Sequence, residues 1–266
     1  MSSEFVRYEV DTGTGVATIT LAYPERLNAL TRGITSGINS SLDSAQTASD
    51  VRAIIITGEG RGFCAGLDMR RGPTTIGVGS ANPAPAGAMA VRLQQCEKPT
   101  IAAINGIAVG AGLDIALACD FRVAAETARM GDWHVNRGIV PSAGLWYLPK
   151  IVGLARAYDM VAFGTTYEGR QAEEIGLVHR VVPADRLMTE ARDYAERLAR
   201  GPQSTLRHIK RLFWQGLNDP LARSMEGVAL ARAAASVSRE TEEGARAFAE
   251  RREPDWLVAS STEPES

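Results

Sequence analysis

Two glycine-rich segments are the parts of this sequence best suited to chemistry on an oxygen atom. Residues 61–69 read RGFCAGLDM and residues 106–115 read GIAVGAGLDI, and each segment follows an apolar, strand-like run. A glycine-rich turn that opens a helix leaves backbone N–H groups free to point outward, where they can stabilise negative charge developing on oxygen. Taken alone, one such turn is better explained by close packing of a helix on a strand. Because the chain has two, we favour a pair of donors that form an oxyanion hole.

Three common catalytic or nucleotide-binding motifs are missing from the sequence. A dinucleotide-binding turn requires Gly or Ala three residues after Gly112, where this chain has Ile115. There is no GxxxxGKS or GxxxxGKT segment, and Ser142 lies in PSAG rather than in a GxSxG nucleophile elbow. The sequence therefore gives no support to nicotinamide, nucleotide or serine-hydrolase chemistry.

Composition and charge exclude other classes. The 266 residues are 45% hydrophobic and 23% charged, with a formal net charge of −2, so we expect a globular protein that binds no nucleic acid. No run reaches the ~20 apolar residues of a membrane span, and the N-terminus lacks the features of a signal peptide. Three scattered cysteines indicate reduced thiols, and three unclustered histidines predict no metal site. We therefore expect a cytoplasmic protein without a membrane partner.

The apolar pattern predicts an α/β core followed by a helical C-terminal part. Strands are predicted at residues 5–9 and 15–21, as a hairpin, and at 51–57, 101–104 and 119–124; helices are predicted at 28–45, 85–96, 112–118 and 143–151. Further helices are predicted at 186–200, 206–215 and 221–249. We therefore divide the chain into a core, residues 1–185, and a helical region, residues 186–266, within one domain.

The glycine-rich segments also resemble motifs of the crotonase superfamily, the enoyl-CoA hydratase/isomerase group. FCAGLDM at 63–69 and NGIAVGAGLDIALACDFRVA at 105–124 are similar to its two oxyanion-hole segments. PERLNAL at 24–30, AEEIGLV at 172–178 and EGARAFAERR at 243–252 resemble further motifs in the same order. The resemblance covers roughly residues 5–256. It implies a spiral of ββα units with a helical C-terminal part that forms homotrimers, often stacked as hexamers.

The resemblance also implies an acyl-CoA substrate and roles for particular residues. The backbone N–H groups of Leu67 and Ala111 would bind the thioester oxygen, and no cofactor is needed beyond the coenzyme A of the substrate. Many members have Gly at the position of Ala111, but a backbone donor survives that change. The residues implied in binding coenzyme A or substrate are Arg26, Ala65, Asp68, Met69, Trp133, Phe248 and Arg251.

Among these, Arg26 is expected near the coenzyme A phosphates, and Ala65 and Met69 near the adenine. Phe248 and Arg251 would close the coenzyme pocket, from the same or a neighbouring subunit. Surface charge and helix packing are the alternative explanations for Arg26, Phe248 and Arg251. The segment 70–88, rich in Gly and Pro, is expected to be a mobile loop beside the site.

The acid–base positions depart from the family pattern. Hydratases of the family hold a water between two glutamates, and the matching positions here are Asp114 and His134. A His/Asp pair can carry protons near neutral pH, with the carboxylate orienting the imidazole. Asp114 could instead complement its helix N-terminus, His134 could be a pocket wall beside Trp133, and Asp132 is a competing carboxylate.

Three functions follow from these residues. The first is an acyl-CoA lyase or isomerase in which His134 and Asp114 carry protons during hydration or double-bond migration. The second is hydrolysis of a thioester or carbon–carbon bond, or decarboxylation, on the same enolate scaffold. The third is a non-catalytic acyl-CoA binder.

Overall fold

The computed structural model describes residues 4–71 and 85–257. Most of the expected loop at 70–88 lies outside these residues. The strands are β1 (Val6–Asp11), β2 (Val16–Leu21), β3 (Ala53–Gly58), β4 (Gly62–Cys64), β5 (Thr100–Ile104), β6 (Ile107–Val109), β7 (Phe121–Ala125), β8 (Arg129–Gly131), β9 (Thr166–Glu168) and β10 (Arg180–Val182). The helices are α1 (Arg32–Thr47), α2 (Pro85–Gln95), α3 (Ala111–Ala118), α4 (Gly144–Val152), α5 (Leu154–Phe163), α6 (Gly169–Glu174), α7 (Leu187–Ala199), α8 (Gln203–Gly216), α9 (Leu221–Ala235) and α10 (Arg239–Glu250).

The main sheet has six strands in the order β1-β2-β3-β5-β7-β10. The first pair is the antiparallel hairpin expected from sequence, and all other neighbours are parallel. The central strands β3 and β5 are buried almost throughout, which explains their continuous apolar, largely β-branched sequences. The α/β fold class predicted from sequence is confirmed.

A second sheet of four short strands lies beside the first, in the order β4-β6-β8-β9. The chain alternates between the sheets: β3 and β4 precede α2, β5 and β6 precede α3, and β7 and β8 precede α4. This repetition is a spiral of ββα units. The second sheet was not predicted, because strands of three residues carry too little periodicity to be recognised.

Two predicted helix boundaries need correction. The first helix begins at Arg32 rather than at residue 28, because Leu27 and Asn28 adopt left-handed conformations and Thr31 caps the N-terminus through Ile34 N–H. The helix predicted at 221–249 is two helices, α9 and α10. The break is stabilised by Ser238, whose hydroxyl accepts from Thr241 N–H and opens α10.

The C-terminal helices differ in how they pack. Helix α7 lies against the main sheet and buries Leu187, Ala191, Ala195 and Ala199, which are spaced four residues apart. Helices α8 and α9 pack against each other and leave large apolar side chains exposed, namely Phe213, Leu217, Leu221, Met225 and Leu230. No helix within residues 4–71 and 85–257 is long and apolar enough to cross a membrane.

Replacing Gly112 with Ala is expected to destabilise the fold. A Cβ at this position would lie 2.0 Å from the carbonyl oxygen of Cys64, so backbone rather than a flexible side chain would have to move. We expect a loss of about 1–3 kcal/mol or more in the free energy of unfolding, measured in urea. The control is Gly216→Ala at the end of α8, where a Cβ would lie 3.6 Å from its nearest neighbour. Equal stability of the two variants would contradict this packing.

Candidate active site

The two glycine-rich turns predicted from sequence are in contact. One follows β4 and the other joins β6 to α3, and Gly66 and Gly110 have φ angles of 83° and 55°. A Cβ on Gly66 would lie 2.9 Å from the oxygen of Val109 and 3.3 Å from the nitrogen of Ala111. Only glycine permits both the backbone conformation and this close approach at position 66. The turns therefore bring Leu67 and Ala111 to the same place.

Leu67 and Ala111 both present backbone N–H groups without acceptors among the described residues. Ala111 is the first residue of α3, where helix geometry leaves the N–H unpaired. Two hydrogen bonds to Leu30 hold the turn around Leu67. The Leu30 N–H donates to the oxygen of Gly66 at 2.7 Å, and the Leu30 oxygen accepts from Asp68 N–H at 3.2 Å. Both residues line a cleft.

This cleft has a volume of about 970 Å³ and is bounded by residues from four segments of the chain, within 65–69, 87–94, 109–111 and 133–147. Six of the residues expected in the site line it: Ala65, Leu67, Met69, Ala111, Trp133 and His134. The other five, which are Arg26, Asp68, Asp114, Phe248 and Arg251, do not line it in the single chain. Phe248 is 87% exposed on α10.

His134 is an ionisable side chain on the cleft wall, and Asp132 is its hydrogen-bond partner. The imidazole Nδ1 lies 2.5 Å from Oδ1 of Asp132, which also accepts from the backbone N–H of His134 at 3.2 Å. The ring packs on Gly110, where a Cβ would lie 3.4 Å from Cε1. Burial alone would lower the pKa of His134, but the hydrogen bond and charge of Asp132, with the charge of Asp114, raise it above its ordinary value.

Asp114 lies behind the cleft wall and makes no hydrogen bond with His134 within the described part of the chain. It is 1% exposed, and both of its carboxylate oxygens are buried without a hydrogen-bond partner among the described residues. Burial, followed by the charge of Asp132, raises the pKa of Asp114 to about 7, against the opposing effects of His134 and nearby backbone N–H groups. The sequence placed Asp114 beside the imidazole, whereas the fold places Asp132 there.

Gly144, at the start of α4, lies beside the carboxyl groups of both Asp132 and Asp114. A Cβ on Gly144 would lie 3.0 Å from Oδ2 of Asp132 and 3.1 Å from Oδ1 of Asp114. The two carboxyl groups therefore converge on one point, and a side chain at Gly144 would displace them. No sequence motif had indicated Gly144.

An aromatic cluster of Trp146, Tyr147 and Trp214 closes one side of the cleft. The Tyr147 ring contacts Trp146 and Trp214 edge-on, at centroid distances of 4.8 and 5.6 Å. The Tyr147 hydroxyl donates to the backbone oxygen of Ala90 at 3.4 Å and lies 3.5 Å from Gln94 Oε1. Because Tyr147 and Gln94 lie far apart in sequence, only the fold shows that they share a wall.

Arg122 supports the helix that carries Ala111. Its buried guanidinium donates to the oxygens of Leu177 and Cys119 at 2.8 Å, and to those of Ala116 and Leu117 at 3.4 Å. A positive charge at a helix C-terminus is favourable, because it complements the partial negative charge of the last carbonyl groups. Arg122 thus fixes the end of α3 that lies opposite the cleft. Within the described ranges, no group of three or more His, Cys, Asp or Glu could hold a metal ion.

Comparison with known proteins assigns the chain to a family. The sequence profile of the enoyl-CoA hydratase/isomerase family matches residues 11–258. The chain belongs to the enoyl-CoA hydratase/isomerase family. A Rhodobacter capsulatus relative named "Probable enoyl-CoA hydratase" is 34% identical over 96% of this chain and 99% of its own length. The Escherichia coli 1,2-epoxyphenylacetyl-CoA isomerase is 32% identical over 95% of this chain and 98% of its own length.

Solved structures show the same fold. A crystal structure of an enoyl-CoA hydratase subunit from Geobacillus kaustophilus superimposes with a TM-score of 0.87 and 33% identity, covering 96% of this chain and 98% of the other. The Bacillus anthracis enoyl-CoA hydratase gives a TM-score of 0.86 at 29% identity, covering 94% and 98%. The resemblance to the crotonase fold is confirmed, and the chain is an enzyme of the hydratase/isomerase family.

Replacing Asp114 with Asn is expected to stabilise the protein above neutral pH. The pKa of Asp114 is raised to about 7, so the folded chain keeps a proton that the unfolded chain loses near pH 4. The contribution of this group to the free energy of unfolding therefore falls as pH rises from 4 to 7. Asn cannot ionise. We expect a gain of about 2–4 kcal/mol at pH 8 that disappears near pH 4, measured by urea unfolding across pH. The exposed Asp185→Asn is the control, and a difference independent of pH would contradict the effect.

Proposed function

We propose that this enzyme moves a proton on the acyl part of an enoyl-CoA thioester and so shifts its double bond. The backbone N–H groups of Leu67 and Ala111 stabilise the enolate oxygen, and His134 carries the proton. The observation that carries this proposal is the position of the His134 ring beside Gly110, the residue before Ala111, where a Cβ would lie 3.4 Å from Cε1. His134 and Ala111 also line the same cleft, which supports a joint role on one substrate.

In the proposed reaction the His134 imidazole first removes a proton from the substrate and then returns it at another carbon. With Nδ1–H donated to Asp132, the lone pair of His134 Nε2 takes a proton from the carbon next to the thioester carbonyl of a 3-enoyl-CoA. The C–H electron pair moves through the carbonyl carbon onto the oxygen, which accepts hydrogen bonds from Leu67 and Ala111. The resulting dienolate then takes the proton from the imidazolium at its far carbon, which yields a 2-enoyl-CoA. One C–H bond breaks and one forms, so no oxidant or further reactant is required.

Isomerisation fits this site better than hydration does. Hydration requires one group to activate water and a second to protonate carbon. Among the described residues of the cleft wall, His134 is the group suited to exchange protons near neutral pH, since burial raises the pKa of Tyr147 far above that range. Asp114, at the position of a hydratase glutamate, is 1% exposed and does not line the cleft.

Hydrolysis is the second candidate, and the Asp132–His134 pair favours it. A carboxylate that holds an imidazole by Nδ1 is an arrangement that can activate a nucleophile, here a water molecule. Attack of that water on the thioester carbonyl would release free coenzyme A. The same two N–H groups would then stabilise a tetrahedral oxyanion instead of an enolate.

The remaining binding residues belong to the same proposal. Ala65, Met69 and Trp133 line the cleft and are placed to contact the coenzyme or acyl group. We expect Arg26 and Asp68 on the coenzyme A side of the first glycine turn. The exposed apolar side chains of α8 and α9, and the exposed Phe248, support assembly into a homotrimer or hexamer. In that assembly, Phe248 and Arg251 would close the pocket of a neighbouring subunit.

Replacing His134 with Gln tests the proposed function. Purified protein is incubated with 2-enoyl-, 3-enoyl- and saturated acyl-CoA thioesters, and products are identified by liquid chromatography and mass spectrometry. We expect the wild type to interconvert the enoyl isomers, and His134→Gln to lower kcat about 10²- to 10⁴-fold, because the proton carrier is lost. His208→Gln on α8, outside the cleft, is the matched control.

Other products would contradict the proposal and would indicate a different function. A 3-hydroxyacyl-CoA would show hydration, free coenzyme A would show hydrolysis, and tight binding without turnover of any thioester would show a non-catalytic binder. Full turnover in His134→Gln would overturn the role of the imidazole.

A further inference from the structure

Three ionisable groups meet beside the second glycine turn, and only one of them reaches the cleft. Asp132 and Asp114 are each 1% exposed, whereas the His134 side chain is 13% exposed and lines the cleft. In the mechanism above the imidazole is the group that moves the proton, and no role is given to Asp114. The buried carboxyl groups require an explanation, because burying a charged group without partners costs several kcal/mol.

Asp132 is bound to His134 by two contacts through one oxygen. The Asp132 Oδ1 atom is within hydrogen-bond distance of the ring Nδ1 of His134 and also accepts from the backbone N–H of His134. These two contacts fix the rotation of the imidazole about its side-chain bonds. Asp132 directly follows β8, whose backbone is paired with β6 and β9, so the carboxylate is anchored to a sheet. With Nδ1 engaged, Nε2 is the ring nitrogen left to exchange a proton with the substrate.

Asp114 has no comparable partner within the described residues. Its two oxygens and Oδ2 of Asp132 are buried without hydrogen-bond partners there, and the carboxyl groups converge on Gly144. Two buried carboxylates this close cannot both ionise cheaply, so one retains a proton. Burial, followed by the charge of Asp132, raises the pKa of Asp114 to about 7, so Asp114 is the group that holds a proton more readily.

The other groups around His134 do not change this assignment. Arg137, in the turn after His134, opposes protonation of the imidazole, but its guanidinium donates to the oxygen of Trp133 rather than to a carboxylate. Tyr147, from α4, is near Asp114 and remains a neutral phenol because burial raises its pKa. Asp114 and Asp132 are thus the carboxyl groups that set the charge at the imidazole.

We propose that Asp132 is a positioning residue that holds the His134 imidazole with Nε2 toward the cleft, while Asp114 is its protonated, non-reacting neighbour. This rests on the proposed function of His134. It separates two carboxyl groups, of which the sequence favoured Asp114 and offered Asp132 only as a competitor: Asp132 orients the imidazole, and Asp114 does not.

Replacing Asp132 with Asn tests this assignment by kinetics. The substitution keeps the size of the side chain and removes its charge. We expect kcat on the enoyl-CoA substrate to fall about 10- to 10³-fold with little change in KM, because the imidazole loses its orientation but the cleft is unchanged. The acid limb of the kcat/KM profile is expected to move to lower pH, because a charge that favours protonated His134 is gone. A merely structural role would not move that limb, and Asp185→Asn is the unaffected control.

Nitrogen NMR tests the pairing without any substrate. The full chain labelled with ¹⁵N-histidine has three imidazoles, and His134 is assigned with the His134→Gln variant. In the wild type we expect neutral His134 to carry its proton on Nδ1, in Asp114→Asn the same tautomer, and in Asp132→Asn a shift to the Nε2–H tautomer with a lower imidazole pKa.

The two readouts separate failure of this inference from failure of the proposed function. If no thioester is turned over but Asp132→Asn changes the tautomer, Asp132 still positions His134 and the proposed reaction is wrong. If His134 is required for turnover but Asp132→Asn leaves tautomer, pKa and pH profile unchanged, the positioning role is overturned. A tautomer change in Asp114→Asn instead of Asp132→Asn would reverse the assignment.

Discussion

Gly112 lies so close to the end of β4 that a Cβ there would be 2.0 Å from the carbonyl oxygen of Cys64, and the site depends on this contact. It joins the first turn of α3 to the segment that leads into Leu67. Every residue of α3 is buried, and Arg122 holds its far end through backbone oxygens. The helix therefore has little freedom to shift along its axis, and the two unpaired N–H groups keep a fixed spacing.

This arrangement makes the two backbone N–H groups of Leu67 and Ala111 independent of side-chain identity but dependent on small residues nearby. Ala111 can replace Gly because its N–H is unchanged, whereas Gly66 must adopt a positive φ within van der Waals range of Val109 and Ala111. The same packing brings Gly110 under the imidazole of His134. One backbone segment, residues 110–112, therefore carries the Ala111 N–H group and lies next to the His134 imidazole.

The site also costs stability. Asp114 and Asp132 bury three carboxyl oxygens that have no hydrogen-bond partner within the described residues. Such groups persist only when the surrounding structure is stable enough to hold them. Here that structure is the largely apolar core between the sheet and the helices. Gly144 leaves space for both carboxyl groups, and these two groups, which do not line the cleft, raise the pKa of the His134 imidazole that does.

The sequence predicted the parts of the fold that are long or chemically distinctive. The hairpin, the buried strands and the two glycine turns were recognisable, because each spans several residues with a clear pattern. The three-residue strands of the second sheet were not, and the break between α9 and α10 depended on one serine cap. The partner of His134 was also beyond sequence reasoning: the family spacing favoured Asp114 over Asp132, and only the position of Asp132 at the end of β8 shows that Asp132 contacts the imidazole.

Solvent deuterium exchange tests the central claim most directly, because it requires only the enolate and the proton carrier. A saturated acyl-CoA is incubated with the enzyme in D₂O, and deuterium at the carbon next to the thioester is measured by mass spectrometry. We predict exchange by the wild type and a loss of about 10²-fold or more in His134→Gln. No exchange by the wild type, or equal exchange by both proteins, would contradict an enolate held by Leu67 and Ala111 and formed by His134.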